Sequence, residues 1–253
     1  MSHDFDEALK LLRSASHLTV FTGAGISVES GIPPFRGPDG LWNRVDPSFL
    51  ELEQFFHQPA ASWKLIKEIF YDFFGSARPN DAHLAVAYLE KAGFVKAVIT
   101  QNIDNLHQEA GSVHVIEYHG TARRLVCLQC GKTWKATEVD LSVVPPFCVR
   151  CGGLLKPDFV FFGEAIPREA QLGAASEAME ADVFLVIGTT GEVMPACAMP
   201  LLARENGAKI VEVNTSPSRY TESATDVFLQ GPATTVCRRL AEVLLEREWP
   251  GGG

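Results

Sequence analysis

Short runs of apolar residues recur along the chain, and most are followed by a polar loop and then by a helical pattern. Each run is rich in β-branched or aromatic residues, which is typical of strands buried inside a parallel sheet. Strand, loop and helix in repeated succession predict an α/β fold, a Rossmann-like doubly wound parallel sheet with helices on both faces. The predicted strands are 19–22, 95–100, 115–120, 156–164, 182–188, 209–213 and 226–229.

Helical periodicity fills most of the intervals between these runs. The stretch 47–74 carries apolar and mostly aromatic residues at helical spacing, which favours a small helical module packed by its own aromatic side chains. The predicted helices are 5–14, 47–74, 81–92, 167–180, 196–206 and 233–247.

The composition limits the class of protein. A chain of 253 residues, 46% hydrophobic and 21% charged, is long enough for one large domain with smaller inserts. Its net charge of −9 argues against nucleic acid, which favours a basic face. The acidic, amphipathic start is unlike a signal peptide, and no apolar run is long enough to cross a membrane. We expect a cytoplasmic monomer that binds neither nucleic acid nor membrane.

Four of the six cysteines form two C-x-x-C pairs, Cys127 with Cys130 and Cys148 with Cys151, separated by seventeen residues. Four thiolates at this spacing predict a tetrahedral Zn²⁺ site. Because four protein sulfurs leave no position for water, the predicted ion is structural, one per chain. A redox dithiol is the alternative, but it does not explain why two pairs occur together.

These patterns divide the chain into modules. The Rossmann-like domain is predicted to be discontinuous, with the helical and zinc-binding modules inserted in it, and the chain is predicted to end in a disordered tail. The predicted bounds are 1–40, 92–118 and 160–248 for the Rossmann-like domain, 41–91 for the helical module, 119–159 for the zinc-binding module and 249–253 for the tail.

Residues 19–37 form the most distinctive stretch. A predicted strand ends at a Gly23-Ala24-Gly25 turn and runs into a helical start, which is the arrangement of a phosphate cradle. The G-x-G-x-x-G fingerprint of dinucleotide sites is met only in part, because Val28 stands at the third glycine position. No acidic residue ends a second strand where a Rossmann fold binds ribose. A tight turn without a ligand therefore stays open as an alternative.

The segment 31–37 adds two prolines, Phe35 and Arg36 to this turn. A stiff segment with an aromatic ring and a cation is more than a simple cofactor turn requires. It favours closure over a bound ligand.

Two further polar segments follow predicted strands. Residues 101–105 (QNIDN) end one strand, and His119 ends another. In open parallel sheets, ligands bind beyond the carboxyl ends of the strands. An Asx-rich turn that caps a helix explains 101–105 equally well, and a histidine at a strand end is by itself more often structural than catalytic.

Taken together, these segments resemble the sirtuin family, the NAD-dependent protein deacylases. The resemblance covers the chain from about residue 8 to residue 246. It rests on GAGIS (23–27), GIPPFRG (31–37), QNID (101–104), HG (119–120), the four cysteines, FGE (162–164), GT (188–189), VN (213–214) and VF (227–228).

The resemblance implies roles for individual residues. His119 would be the catalytic base, and Asn102 would position the ribose and a water. An acyl-lysine peptide would be added as a strand beside Phe162, Gly163 and Glu164 on one side and Val193 on the other. NAD would be bound by Gly23, Ala24, Gly25, Phe35, Arg36, Gln101, Asn102, Ile103, Asp104, Gly188, Thr189, Thr190, Asn214, Thr215, Ser216 and Ala233.

The implied reaction is NAD-dependent removal of an acyl group from lysine, above all acetyl, which yields nicotinamide and O-acyl-ADP-ribose. A neutral histidine suits the base that activates a ribose hydroxyl, and Phe35 would exclude water. Three departures from the family pattern stand out. Val28 replaces a common threonine, Thr190 a serine and Gly191 an apolar residue; the last change predicts a looser peptide-binding loop.

The acyl group is predicted to be neutral. Family members that prefer succinyl or malonyl groups carry a Tyr-x-x-Arg pair, but here Tyr71 is followed by Phe74, and Arg78 lies too far along the chain. The aromatic residues of 70–74 leave longer apolar acyl chains open. A mono-ADP-ribosyltransferase and a non-catalytic NAD or ADP-ribose-binding module are the alternatives from other functional classes.

Overall fold

The computed structural model describes residues 3–36 and 40–249. Residues 37–39 lie outside the described residues, so the segment 31–37 is described only as far as Arg36. Nine strands run through the described residues: β1 (Leu18–Thr22), β2 (Val95–Thr100), β3 (Val115–Glu117), β4 (Gly120–Cys127), β5 (Thr133–Lys135), β6 (Leu155–Phe159), β7 (Val183–Ile187), β8 (Lys209–Asn214) and β9 (Val227–Gln230).

Six of these strands form one sheet in the order β3-β2-β1-β7-β8-β9, and every neighbouring pair is parallel. The chain builds outward from β1 to β3 and then returns to the other side of β1, so the strand order reverses beside the central strand. Such a reversal is where open α/β sheets bind ligands. The predicted doubly wound parallel sheet is confirmed.

Longer helices cover both faces of this sheet. Those on one face share a core with Val20 and Leu185, and those on the other share a core with Phe21 and Phe184, because alternate residues of each strand point to opposite faces. The first face is covered by α1 (His3–Ser14), α4 (Asp81–Lys91) and α8 (Ala233–Leu244), and the second by α6 (Arg168–Glu180) and α7 (Met199–Glu205). A short helix, α5 (Leu106–Ala110), follows β2.

The helical module is broken into short pieces where a long helix was predicted. Proline stands at the start of two of them, Pro47 and Pro59, where its missing N–H costs nothing but prevents a continuous helix. The pieces are a 3₁₀ helix (Pro47–Leu50), α2 (Leu52–His57), α3 (Pro59–Ile66), a π-helix (Lys67–Phe73) and a second 3₁₀ turn (Phe74–Ser76).

The remaining strands form an antiparallel sheet in the order β5-β4-β6. Cys127 ends β4, and the other three cysteines of the two pairs lie in the loops between β4 and β5 and between β5 and β6. The predicted strand 156–164 is shorter than expected and belongs to this second sheet. The helical and zinc-binding modules share one core. The indole of Trp63 donates a hydrogen bond to the carbonyl oxygen of Leu155 at 2.9 Å, and the rings of Phe55 and Phe161 meet edge to face. The two modules therefore pack as one body over the sheet edge.

Two predicted boundaries need correction. Helix α4, assigned from sequence to the helical module, packs with α1 and α8 on the sheet, because its Ala82, Ala85 and Val86 are buried there. Trp249, placed in the disordered tail, is buried against the ring of Tyr88. Residues 250–253 lie outside the described residues. Within the described chain, no helix is long and apolar enough to cross a membrane.

Candidate active site

The segments that follow β1, β2, β3, β7 and β8 meet in one cleft of about 750 Å³ between the sheet edge and the two small modules. Parallel strands all end at the same edge, so residues distant in sequence converge there. Of the residues predicted to bind NAD or the peptide, the cleft is lined by Gly23, Ala24, Gly25, Phe35, Arg36, Gln101, Asn102, Ile103, Phe162, Gly163, Glu164, Gly188, Thr189, Thr190, Val193, Asn214, Thr215, Ser216 and Ala233, together with His119.

Asp104 is the exception. It lines a second chamber of about 750 Å³, which adjoins the cleft because both contain Ala24, Phe35, Asn102 and Ile103. The second chamber extends between the helical and zinc-binding modules.

The glycine turn after β1 packs directly against the turn after β7. A Cβ on Gly25 would lie 2.6 Å from the Cα of Gly188, and Gly188 itself has a φ of +62°. The N–H of Gly25 donates to the carbonyl oxygen of Gly188 at 2.8 Å. These two glycines are therefore required for the turns after β1 and β7 to touch. The predicted helical start is a short 3₁₀ helix, Ala24–Ser30.

The segment after Gly31 folds back over the cleft. Phe35 stacks on the ring of Trp42 with centroids 5.2 Å apart. Backbone N–H groups of Leu41 and Trp42 donate to the carbonyl oxygens of Pro34 and Phe35. Phe35 is thereby held between the cleft and the second chamber, which both contain it. Its position is compatible with a water-excluding role.

His119 lies half-buried in the cleft, two residues beyond β3. Its Nδ1 is 3.0 Å from the carbonyl oxygen of Gln101. Because a carbonyl oxygen only accepts, Nδ1 carries the proton, and the neutral ring keeps a lone pair on Nε2. Burial lowers the pKa of His119 below its ordinary value, although the bond to Gln101 acts in the opposite direction. The ring is therefore neutral near pH 7, as a general base requires.

Asn102 and Asp104 are joined through Ser27. The side-chain amide of Asn102 donates to the carbonyl oxygen of Gly23 at 3.1 Å and to Ser27 Oγ at 3.2 Å. Ser27 Oγ donates to Asp104 Oδ2 at 2.7 Å, and the N–H of Leu106 donates to the other carboxylate oxygen. Burial raises the pKa of Asp104, while these two hydrogen bonds lower it. The two hydrogen bonds orient the carboxyl group, which forms part of the wall of the second chamber together with Asn102 and Ser27.

Two buried histidines lie behind this network. The rings of His83 and His107 meet edge to face at 5.0 Å, and both residues are almost fully buried. His107 Nε2 is 3.0 Å from Thr22 Oγ1, which donates to Thr100 Oγ1, and that oxygen accepts the N–H of Asn102. Burial lowers the pKa of His83 to about 4 and that of His107 well below its ordinary value.

These histidines predict acid sensitivity. Between pH 6.5 and 4 the unfolded chain binds protons that the folded chain does not, so the free energy of unfolding falls as the pH falls. For His83 the gap between 6.5 and about 4 corresponds to roughly 3 kcal/mol. Urea unfolding of wild type and His83→Gln between pH 6.5 and 4 measures this contribution of His83 to the free energy of unfolding. The stability difference between the two proteins should change by that order. A pH-independent difference for His83→Gln would contradict the buried neutral state.

The loops after β7 and β8 interlock on the far side of the cleft. Asn214 Nδ2 donates to the carbonyl oxygen of Thr189 at 3.0 Å, and the N–H of Arg219 donates to that of Thr190 at 3.1 Å. Gly191 has a φ of +72°, and a Cβ there would meet the ring of Tyr220 at 2.9 Å. Tyr220 is buried, and its hydroxyl donates to the carbonyl oxygen of Cys197.

The space beside Gly191 is therefore filled by an aromatic ring from another loop. The expectation that this glycine loosens the peptide-binding loop does not fit the structure, because the Tyr220 ring fills the space that a side chain at position 191 would take.

The predicted peptide-binding residues lie on two edges of the cleft. The N–H of Val160 donates to the carbonyl oxygen of His119 at 2.9 Å. Phe162 exchanges backbone hydrogen bonds with Leu50 and Leu52, and Val193 lines the same cleft. The Glu164 carboxylate is directed inward, 2.9 Å from the ammonium of Lys156.

The four cysteines converge as predicted. Their Sγ atoms all lie within 4.8 Å of one another, and none of the chain's six cysteines is in a disulfide. Zinc–sulfur bonds of about 2.3 Å in a tetrahedron place sulfurs about 3.8 Å apart; the Cys130 and Cys148 sulfurs are 3.9 Å apart. The N–H groups of Gly131 and Gly152 donate to the carbonyl oxygens of Cys127 and Cys148, which closes both turns. The donor set fits Zn²⁺.

Sequence reasoning did not assign Ser27, Lys156 or Tyr220 to the site. Ser27 stands inside the GAGIS motif, so a signal existed, but its contact with Asp104 spans 77 positions. No local pattern marks Lys156 or Tyr220. The hydroxyl of Tyr220 reaches Cys197, 23 positions away, and Lys156 meets Glu164 because the chain turns between them.

The Sir2 family model matches residues 23–195 of this chain. "NAD-dependent protein deacylase 2" of Pyrobaculum aerophilum is 48% identical over 241 residues, covering 94% of each protein. A mutant Sir2 homologue in complex with ADP-ribose has a TM-score of 0.91 and 37% identity over 97% of each chain. A Sir2–p53 peptide–NAD⁺ complex has a TM-score of 0.88 and 34% identity over 96% of this chain and 98% of that one. The chain belongs to the Sir2 family.

Proposed function

We propose that this protein is an NAD-dependent protein-lysine deacylase that removes acetyl and other neutral acyl groups. The observation that carries the proposal is the neutral His119, whose Nε2 is free of a proton and which lines the same cleft as the glycine turn, Asn102 and Phe35. Binding alone needs no base, so this arrangement favours an enzyme over a passive NAD-binding module. The Sir2 relatives named as NAD-dependent deacylases support the same reaction.

The cleft fits NAD in size and in the residues that line it. Gly23 and Gly25 line the cleft, and a side chain on either would collide with the loop after β7. Arg36 adds a cation at the cleft, which suits a pyrophosphate. The nicotinamide end would lie near Asn102 and Asp104, and the adenosine end near Asn214 and Ala233. When bound, NAD supplies the glycosidic bond that is broken and the ribose hydroxyls that receive the acyl group.

The protein's own groups prepare this reaction. His119 Nε2 would take the proton of a ribose hydroxyl, while the carbonyl of Gln101 holds the ring in the required tautomer and stabilises the imidazolium. Both amide protons of Asn102 have partners, and among the described residues none donates to its Oδ1. This oxygen is therefore available to orient a ribose hydroxyl or a water.

The peptide would bind in extended form. Residues 160–163 and residues 193–194 both line the cleft. The N–H groups of residues 160–162 already have partners, whereas the backbone groups of Gly163 have none among the described residues. A strand inserted there would gain main-chain hydrogen bonds from Gly163, whatever the sequence of the peptide.

The second chamber favours neutral acyl groups, including longer ones. Its wall includes Phe70, Tyr71, Phe74 and Ile103. The Tyr71 hydroxyl is buried and has no hydrogen-bond partner among the described residues, and burial raises its pKa. The arginines of the wall, Arg123 and Arg124, are paired with Glu109 and Asp158. Arg78 donates to the carbonyl of Ala77. An acidic acyl group would therefore compete with existing ion pairs.

We place this activity in the cytoplasm and in a monomer, without nucleic-acid partners. Six free cysteines suit a reducing compartment, and a net charge of −9 disfavours a phosphate backbone.

The test is to incubate the protein and NAD with one lysine peptide bearing acetyl, octanoyl or succinyl groups. Peptide mass and nicotinamide are followed together. We expect equal amounts of deacylated peptide and nicotinamide, with acetyl and octanoyl peptides preferred over succinyl. Nicotinamide release with the acyl group retained would indicate ADP-ribosyl transfer or NAD hydrolysis instead. A preference for succinyl would contradict the assignment of neutral acyl groups.

A further inference from the structure

Lys156 is a buried cation that the reaction above does not use. It lies in β6, its side chain is 3% exposed, and its ammonium donates three hydrogen bonds. The acceptors are the carbonyl oxygens of Pro157 (3.0 Å) and Phe159 (2.7 Å) and Glu164 Oε2 (2.9 Å). All three ammonium protons are therefore engaged.

The surroundings of this ammonium are unusual. It lies 4.1 Å from the centroid of the Phe161 ring, and burial lowers its pKa although Glu164 raises it. A buried charge is costly unless it is fully paired. Filling the same space with an apolar side chain would avoid that cost, so the cation calls for an explanation.

Glu164 completes the arrangement from the other end. The oxygen that contacts Lys156 also accepts the N–H of Phe161 at 2.9 Å. Lys156 and Glu164 thus bind to backbone groups on both sides of the turn that follows β6. Gly163, with a φ of +84°, reverses the chain between them.

We name residues 160–163 the peptide ledge. The N–H of Val160 donates to the carbonyl oxygen of His119, and Phe162 is joined by two backbone hydrogen bonds to Leu50 and Leu52. The ledge therefore touches the catalytic histidine at one end and the helical module at the other. Its position depends on the turn that Lys156 and Glu164 hold.

We propose that the Lys156–Glu164 ion pair holds the peptide ledge in the position and orientation that are needed to bind the acyl-lysine strand. This inference rests on the proposed deacylase function. It makes Lys156 a positioning residue, since its ammonium reaches neither the cleft nor His119 directly. It predicts that the pair controls peptide affinity and leaves NAD affinity alone.

The experiment compares Lys156→Met, Glu164→Gln and the double variant. Lys132→Met is the matched control, because Lys132 also lies over an aromatic ring, that of Trp134 at 4.4 Å, but it is exposed and lines neither the cleft nor the second chamber. Steady-state deacylation gives KM for peptide and for NAD separately. Thermal unfolding and zinc content are measured on each protein.

We expect the KM for peptide to rise about tenfold or more in both single variants, since a small displacement of a binding edge is sufficient for such a loss. The KM for NAD should stay within about twofold of wild type, because the ledge lies outside the predicted NAD contacts and its displacement leaves their geometry unchanged. The double variant removes the unpaired charge, so its thermal stability should recover relative to Lys156→Met while its KM for peptide stays high. Lys132→Met should match wild type.

A purely structural role would give a different result. If the KM for peptide recovers together with stability in the double variant, or is unchanged in Glu164→Gln, the inference is overturned. Glu164→Gln decides the matter if Lys156→Met does not fold, because Glu164 is 32% exposed and glutamine keeps its size. An inactive wild type would count against the deacylase function and not against this inference, for which calorimetric titration of the acyl-lysine peptide gives the same comparison.

Discussion

Replacing His119 with alanine is expected to abolish deacylation while the protein keeps its fold and its zinc. A general base contributes about 10²–10⁴-fold to a reaction rate, and His119 is the one residue of the cleft that combines a proton-free ring nitrogen with a neutral state near pH 7. Among the described residues, its side chain makes one hydrogen bond, to the carbonyl of Gln101, and one ring contact, with Tyr118. Little of the packing therefore depends on it.

The measurement is kcat/KM for an acetyl-lysine peptide at saturating NAD, with zinc content determined on the same preparation. His114→Ala is a close control. The Nδ1 of His114 also contacts a backbone carbonyl at 3.0 Å, that of Lys96, but the residue is exposed and outside the cleft. It should retain wild-type activity. Near-normal turnover by His119→Ala would remove this residue from the reaction.

The pKa of His119 also fixes the pH dependence of activity. The neutral base is lost as the pH falls through its pKa, and burial places that pKa below 6.5. The acidic limb of kcat/KM should therefore lie below pH 6.5 and disappear from the residual rate of His119→Ala.

Replacing Cys148 with serine is expected to eliminate zinc binding and to unfold the zinc-binding module. Metal binding by four thiolates supplies folding free energy of order 10 kcal/mol in zinc-finger peptides. Here β5 has only three residues, so the module has little regular structure apart from β4 and β6 to replace that energy. Because the module shares a core with the helical module, the change should extend to the walls of the cleft and remove activity.

Zinc content, thermal unfolding and activity test this result together. Cys237→Ala is the control: Cys237 is buried against the sheet in α8, far from the other sulfurs, and its loss should leave zinc at one per chain. Activity that survives in Cys148→Ser without metal would show that the module needs no zinc. Removal of zinc by a chelator from wild-type protein should reproduce the effect of Cys148→Ser.

Much of this site is encoded locally. The zinc ligands were predictable because two C-x-x-C turns each bring a pair of sulfurs together, whatever the rest of the chain does. The strand runs were predictable because a parallel strand buried on both faces, as β1 and β7 are, is rich in apolar and β-branched residues. The neutral tautomer of His119 was not, since it depends on the carbonyl of Gln101, which comes from the end of another strand.

Contacts between distant segments escaped prediction for the same reason. The affiliation of α4 followed from its packing with α8, and no local pattern distinguishes a helix of the helical module from a helix on the sheet. Gly191 looked like a loosening of its loop, yet the ring of Tyr220 requires the absence of a side chain there. The inward turn of Glu164 likewise became visible only beside Lys156.

Local patterns were enough to predict the six strands of the parallel sheet, the four cysteines of the metal site and the chemical types gathered at the strand ends, because hydrophobic period, turn residues and ligand spacing act over a few positions. Strands β4 and β5 and helix α5 were not predicted. The folded structure is needed to show which glycines touch, which nitrogen of His119 is free, and what holds the peptide ledge. These properties arise from pairs such as Gly25 with Gly188, which are 163 positions apart and meet only when β1 and β7 lie side by side.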